Sequence, residues 1–169
     1  MKYFAYGSNM SLARLRARAP SVKRLGMYCL SKHKLTFDKI GTDGSGKCDA
    51  MYTGNDQDCI FGALYEIATD DKIVLDEIEG LGQGYDEKKV ELESSDGTSE
   101  KTIEAAMYYA TSIKQGLLPY TWYLNHVLVG ARETQVPADY LQSIAQTEAI
   151  KDSDKVREKA EFDLHLPSE

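Results

Sequence analysis

An α+β domain is the fold class this sequence predicts, and two observations predict it. About seven short stretches alternate or run apolar in the manner of strands, and helical patterns lie between and after them. The chain of 169 residues is the size of one domain and long enough to bury a core with room for a pocket.

Lys2 to Tyr6 reads as a first strand inside a sheet. Ser11 to Arg18 is rich in helix formers and stops at Ala19-Pro20, since a proline disfavours helix in the residue before it. Leu12 and Leu15 can face the core, Arg14 reads as a solvated face, and Arg18 lies on the same side four residues on. Leu25–Ser31 and Lys34–Phe37 read as two short strands. Residues 38–47 hold Gly41, Asp43, Gly44 and Gly46 and read as a mobile loop, fit either to shape a pocket rim or only to connect. Ala50–Thr53 and Ile60–Ile67 are strands, the second apolar on both faces and therefore central.

Thr69-Asp70-Asp71 signals a helix start, with a capping residue and acids in the first turn. That helix runs to Glu79 and ends at Gly80, the natural left-handed cap, with Val74, Leu75, Ile78 and Leu81 as its apolar stripe. Tyr85–Glu93 and Thr102–Ala110 are strands joined by a hairpin at Asp96-Gly97. Pro119 opens a helix to about Gly130, and Pro137 another to about Thr147. The expected division is a domain over residues 1–150 and a charged extension over 151–169, either a docked helix or a frayed tail.

Lys and Arg number 20 and Asp and Glu 27, a net charge of −7, which argues against a nucleic-acid partner. No apolar run approaches transmembrane length and no signal-peptide core opens the chain, so a membrane partner is not expected. Cys29, Cys48 and Cys59 are an odd number without CxxC spacing and read as buried or idle thiols of a reducing, cytoplasmic compartment. His33, His126 and His165 form no metal-ligand spacing, so no metal is expected.

The segment Tyr3-Phe4-Ala5-Tyr6-Gly7-Ser8-Asn9 organises the chain. A strand, a tight turn and a helix start expose backbone N–H groups, and Gly7 lets a ligand come close because it has no Cβ. An ordinary strand-to-helix turn with Ser8 or Asn9 as N-cap accounts for the same residues. At the end of the helix before Gly80, Asp76, Glu77 and Glu79 crowd the negative pole of the dipole. A carboxylate there, beside apolar side chains, is expected to have a raised pKa, the property of a general base near neutral pH. Helical geometry alone does not separate Glu77 from Glu79.

Together these segments carry a resemblance. YFAYGSNM resembles the opening signature of the γ-glutamylcyclotransferase-like (AIG2-like) family, and Leu75-Asp76-Glu77-Ile78-Glu79-Gly80 is similar to its LDxxEG element. Gly62-Ala63-Leu64-Tyr65-Glu66-Ile67 resembles the family's central strand, and the likeness spans roughly Tyr3 to Glu133. It implies a small, mixed, partly closed β-barrel flanked by helices, with a pocket at one mouth. It also implies cyclisation of a γ-glutamyl amide to 5-oxoproline without metal or cofactor, and it selects Glu79 as the general acid/base. Gly7, Ser8 and Asn9 would hold either the substrate carboxylate or the developing oxyanion. Tyr6, Tyr85, Tyr108 and Tyr123 would line the site, with Tyr109 competing with Tyr108 for one position. The implied partner is a small-molecule γ-glutamyl substrate, and a homodimer stays open. Alternatives within the fold are γ-glutamyl-ε-lysine or a biosynthetic γ-glutamyl intermediate as substrate, and outside it a binding module without turnover.

Overall fold

The computed structural model describes residues 1–94 and 102–166. Five strands close into a barrel in the order β1 (Lys2–Ala5), β5 (Cys59–Glu66), β2 (Lys23–Ser31), β6 (Tyr85–Ser94) and β7 (Thr102–Ala110). All neighbours are antiparallel except β1 and β7, which run parallel and close the barrel through Tyr3 opposite Ala106. This is the mixed barrel the resemblance implies. A second, two-stranded sheet is formed by β3 (His33–Ile40) and β4 (Gly46–Tyr52).

Strand β5 lies between β1 and β2, and Ile60, Ala63, Leu64 and Tyr65 on it are fully buried. Its uniformly apolar sequence follows from having strands on both edges and core on both faces. The core continues through Phe4, Met10 and Leu15 to Val127 and Ala131 of helix α3 (Thr121–Thr134). Helices α1 (Leu12–Arg16), α2 (Thr69–Glu79), α4 (Ala138–Ala145) and α5 (Lys155–Asp163) complete the layer around the barrel.

Several expectations are corrected. Residues 38–47 are not a mobile loop: β3 and β4 pair up to Ile40 opposite Gly46, and Gly41 donates its N–H to the Ser45 carbonyl at 2.8 Å across a tight turn. Helix α2 buries only Leu75 of the proposed stripe, while Val74, Ile78 and Leu81 are exposed. The residue preceding α2 is Ala68, not a side-chain cap, whereas Gly80 does take the left-handed conformation (φ 70°). Helix α3 runs past Gly130 to Thr134. Arg14 is buried, because α5 returns over it and brings Glu161 to its guanidinium. Cys29 and Cys59 are joined as a disulfide between β2 and β5, so only Cys48 is a free, buried thiol. The Asp96-Gly97 hairpin lies outside the described residues. Among the described residues no helix is long and apolar enough to cross a membrane, and no cluster of His, Cys, Asp and Glu could hold a metal ion.

Candidate functional site

The signature segment leaves β1 at Ala5 and tightens into a 3₁₀ turn over Ser8–Met10, before Ser11 caps α1 by accepting the Arg14 N–H on its hydroxyl. Ser11, rather than Ser8 or Asn9, is therefore the side-chain cap. Among the described residues the N–H groups of Gly7, Ser8 and Asn9 have no protein acceptor. Gly7 is required by a close approach: a Cβ there would stand 2.8 Å from the Cβ of Cys48 on β4.

Helix α2 delivers Glu79 to this turn. One oxygen of its carboxylate, Oε1, accepts the Asn9 side-chain amide at 3.0 Å and the Arg18 guanidinium at 2.7 Å. Arg18 also donates to the Asn9 Oδ1 at 3.1 Å, and the Asn9 amide donates to the Tyr3 hydroxyl at 3.1 Å. Polar donors therefore surround Glu79 where apolar neighbours were expected. The neighbouring acids are separated from it by the fold. Glu77 is exposed, and Asp76 is ion-paired with Lys72 and accepts the Tyr108 hydroxyl at 2.6 Å.

An inner cavity of about 30 Å³ is lined by Tyr6, Gly7, Ser8, Asn9, Glu79, Tyr85, Tyr108 and Tyr123, all named from sequence, and by Tyr3 and Cys48. The tyrosines are fixed by their hydroxyls. Tyr6 donates to the Tyr108 carbonyl at 2.8 Å and Tyr85 to the Cys48 carbonyl at 2.7 Å, while Tyr123 accepts the Cys48 N–H at 3.0 Å. Burial above all pushes the phenol pKa of Tyr3, Tyr6, Tyr85, Tyr108 and Tyr123 upward, so each is a neutral hydroxyl at pH 7. Burial likewise pushes the Cys48 thiol up to about 12. Of the competing pair, Tyr108 faces the cavity, and Tyr109 is half-buried beneath the Lys88 ammonium.

Ser8, Glu79, Tyr85 and Tyr123 are shared with a wider outer cavity of about 270 Å³, walled also by the β3–β4 turn and by Arg157 and Glu161 of α5. Sequence reasoning gave no role to Tyr3, Arg18 or Cys48. Tyr3 was visible within the signature, and Arg18 only as a second arginine on the side of the first helix that carries Arg14. Cys48 had none, since its position depends on β4 packing against the signature turn.

A family model described as the AIG2-like family matches residues 59–144. Curated proteins named gamma-glutamylcyclotransferase from Homo sapiens and Bos taurus are each 27% identical over 167 residues, covering 94% of this chain and 85% of theirs. A solved structure titled gamma-glutamyl cyclotransferase superposes with a TM-score of 0.84 at 25% identity, covering 96% of both chains. A yeast cyclotransferase titled as specific to glutathione shares the fold at 10% identity, with a TM-score of 0.60 over 85% of this chain and 93% of its own. With its match over more than half the sequence, its closed mixed barrel and its flanking helices, this chain belongs to the AIG2-like family.

Proposed function

We propose that the protein is a γ-glutamylcyclotransferase that closes a γ-glutamyl amide to 5-oxoproline and releases the amine, with Glu79 as general acid/base. The observation that carries this reading is the Glu79 carboxylate hydrogen-bonded to Asn9 of the signature turn, within a cavity also bounded by Gly7 and Ser8. The family match and the curated relatives support an activity of this type.

The nucleophile is the substrate's own α-amine. It is mostly protonated at pH 7, since its reference pKa is about 7.7–8.0. Glu79 takes its proton, the amine attacks the γ-carbonyl carbon, and the five-membered ring closes as the C–N bond to the leaving amine breaks. Glu79 returns that proton to the departing nitrogen, and the second proton shed by the attacking nitrogen as the ring amide forms passes to the released amine, which leaves as an ammonium. Such a group contributes about 10²–10⁴-fold. The free N–H groups of Gly7, Ser8 and Asn9 are proposed to hold the substrate carboxylate or the developing oxyanion, and one well-aimed oxyanion donor is worth about 10²–10³-fold. Tyr6, Tyr85, Tyr108 and Tyr123, locked by their hydroxyl bonds, give the walls that fold the substrate for attack.

Residues 1–150 are proposed to be the catalytic domain and 151–169 an extension; docking of its helix α5 is supported by the Arg14–Glu161 pair at 2.5 Å. The test is incubation of purified protein with a panel of γ-glutamyl compounds, including γ-glutamyl-alanine and γ-glutamyl-ε-lysine, with mass detection of 5-oxoproline. Release from at least one member is expected. Release from none, with binding retained, would favour a module without turnover.

A further inference from the structure

The outer cavity contains five cations, and four of them are already paired. Arg18 meets Glu79 at 2.7 Å, Arg14 meets Glu161 at 2.5 Å, Lys47 meets Asp43 at 2.8 Å and Arg157 meets Asp152 at 2.6 Å. The fifth is Lys39, near the end of β3. It is 8% exposed, and among the described residues its ammonium has neither an ion pair nor a hydrogen bond. It rests over the face of Tyr85, 4.7 Å from the ring centroid. Room for it is made by Gly84, where a Cβ would stand 3.2 Å from Nζ and where φ is +148°. Burial pulls the Lys39 pKa down, and Glu79 and Asp43 act against that only through space. Its ammonium reaches the outer cavity held by one aromatic face, without the hydrogen-bonded counter-charge that a partly desolvated cation calls for.

The position of Lys39 says which part of a substrate would supply that charge. Tyr85 and Glu79 form the wall common to both cavities. If the γ-glutamyl end occupies the inner cavity and the scissile bond lies at Glu79, whatever projects into the outer cavity is the leaving amine. We propose that Lys39 seats an anionic group of that amine. Lys39 is then the residue by which the site tells a leaving amine with a carboxylate beside the nitrogen from its neutral amide. This rests on the cyclotransferase reading above and deepens it.

The test compares γ-glutamyl-alanine with γ-glutamyl-alaninamide, which differ in that one charge. The wild-type protein is expected to favour the acid by about tenfold to a hundredfold in kcat/KM, the range of a charge-assisted hydrogen bond. In Lys39→Met, and in Lys39→Gln as a second neutral variant, that preference falls towards one, and Lys39→Arg keeps most of it. The ratio is taken within each variant, so a general loss of activity cancels. A wild-type ratio near one overturns the proposal, and so does a ratio that persists in both neutral variants. The second result would mean that Lys39 holds the glutamyl end or nothing at all. No 5-oxoproline from either compound would instead overturn the parent reading, and this one with it.

Discussion

Arg18 donates to the Glu79 carboxylate at 2.7 Å across 61 residues of sequence, and the same guanidinium nitrogen reaches the Asn9 Oδ1. Asn9 in turn donates to the same Glu79 oxygen. The acid of α2 and the turn after β1 are therefore fastened by a triangle of hydrogen bonds with Arg18 at one corner. Their side chains are largely sheltered, 21% and 15% exposed for Arg18 and Glu79, which makes this pair stronger than one at a free surface.

Arg18 is thus expected to position Glu79. Arg18→Gln should lower kcat/KM by about tenfold to a hundredfold, since hydrogen bonds to charged groups are worth about 1.5–3 kcal/mol. Arg18→Lys should recover part of the loss by restoring the charge without the fork. Steady-state kinetics on γ-glutamyl-alanine checks both.

Helix α3 holds the signature turn from behind. A Cβ on Gly130 would stand 2.3 Å from the Ser11 nitrogen, a backbone atom that cannot swing aside. Gly130→Ala is expected to destabilise the protein by about 1–3 kcal/mol through overpacking, and to reduce activity as the turn shifts. Thermal unfolding and turnover, measured on the same preparation, should fall together.

Tyr123 accepts the buried N–H of Cys48 at 3.0 Å. Tyr123→Phe would leave that donor unpaired at a cost of about 1–3 kcal/mol, a fall in Tm of several degrees at roughly 2–4 °C per kcal/mol for a chain of this size. An unchanged Tm would mean that another acceptor replaces the hydroxyl.

The docking of α5 should depend on pH. His126 on α3 is fully buried and faces Arg14 of α1, Glu161 and His165 at the chain's end, and the Trp122 ring. Burial, with Arg14 acting in the same sense, pushes its imidazole down to about 4. Burial opposes ionisation of Glu161 as well, yet the His126 contact and Arg14 outweigh it and hold the carboxyl at about 2. Both folded values lie below the unfolded ones of 6.5 and 4.5, so the unfolded chain binds more protons on acidification. Stability is complete above pH 6.5, falls through the His126 window towards pH 4, and falls further through the Glu161 window below 4.5. The His126 part is on the order of 3 kcal/mol. Denaturant titrations between pH 7.5 and 4 measure it, and His126→Gln should flatten the dependence.

The strands and α2 were legible because their signals are local: alternation, a run of apolar residues on β5, and Gly80 at a helix end. What failed depends on distant partners. Lys72 is buried on α2 because Asp76 and Glu87 both reach its ammonium, and Val74 and Ile78 face outward instead. Glycines at 41, 44 and 46 read as loop, yet Gly46 is in a strand whose Cβ position lies 2.3 Å from the Phe37 carbonyl oxygen. The Cys29–Cys59 pairing follows from the register of β2 on β5, which one sequence does not display. In the candidate site, the residues singled out by the signature and by LDxxEG line one cavity. Arg18 and Cys48, which hold them there, are set by packing between separate segments.

The most direct measurement follows 5-oxoproline by mass spectrometry after γ-glutamyl-alanine is mixed with wild-type protein and with Glu79→Gln of matched fold by circular dichroism. Wild type should form product, and the variant, which keeps the side-chain shape but cannot take the amine's proton, should form at least a hundredfold less. Undiminished product from Glu79→Gln would contradict the account, because the group assigned the proton transfer would then be dispensable.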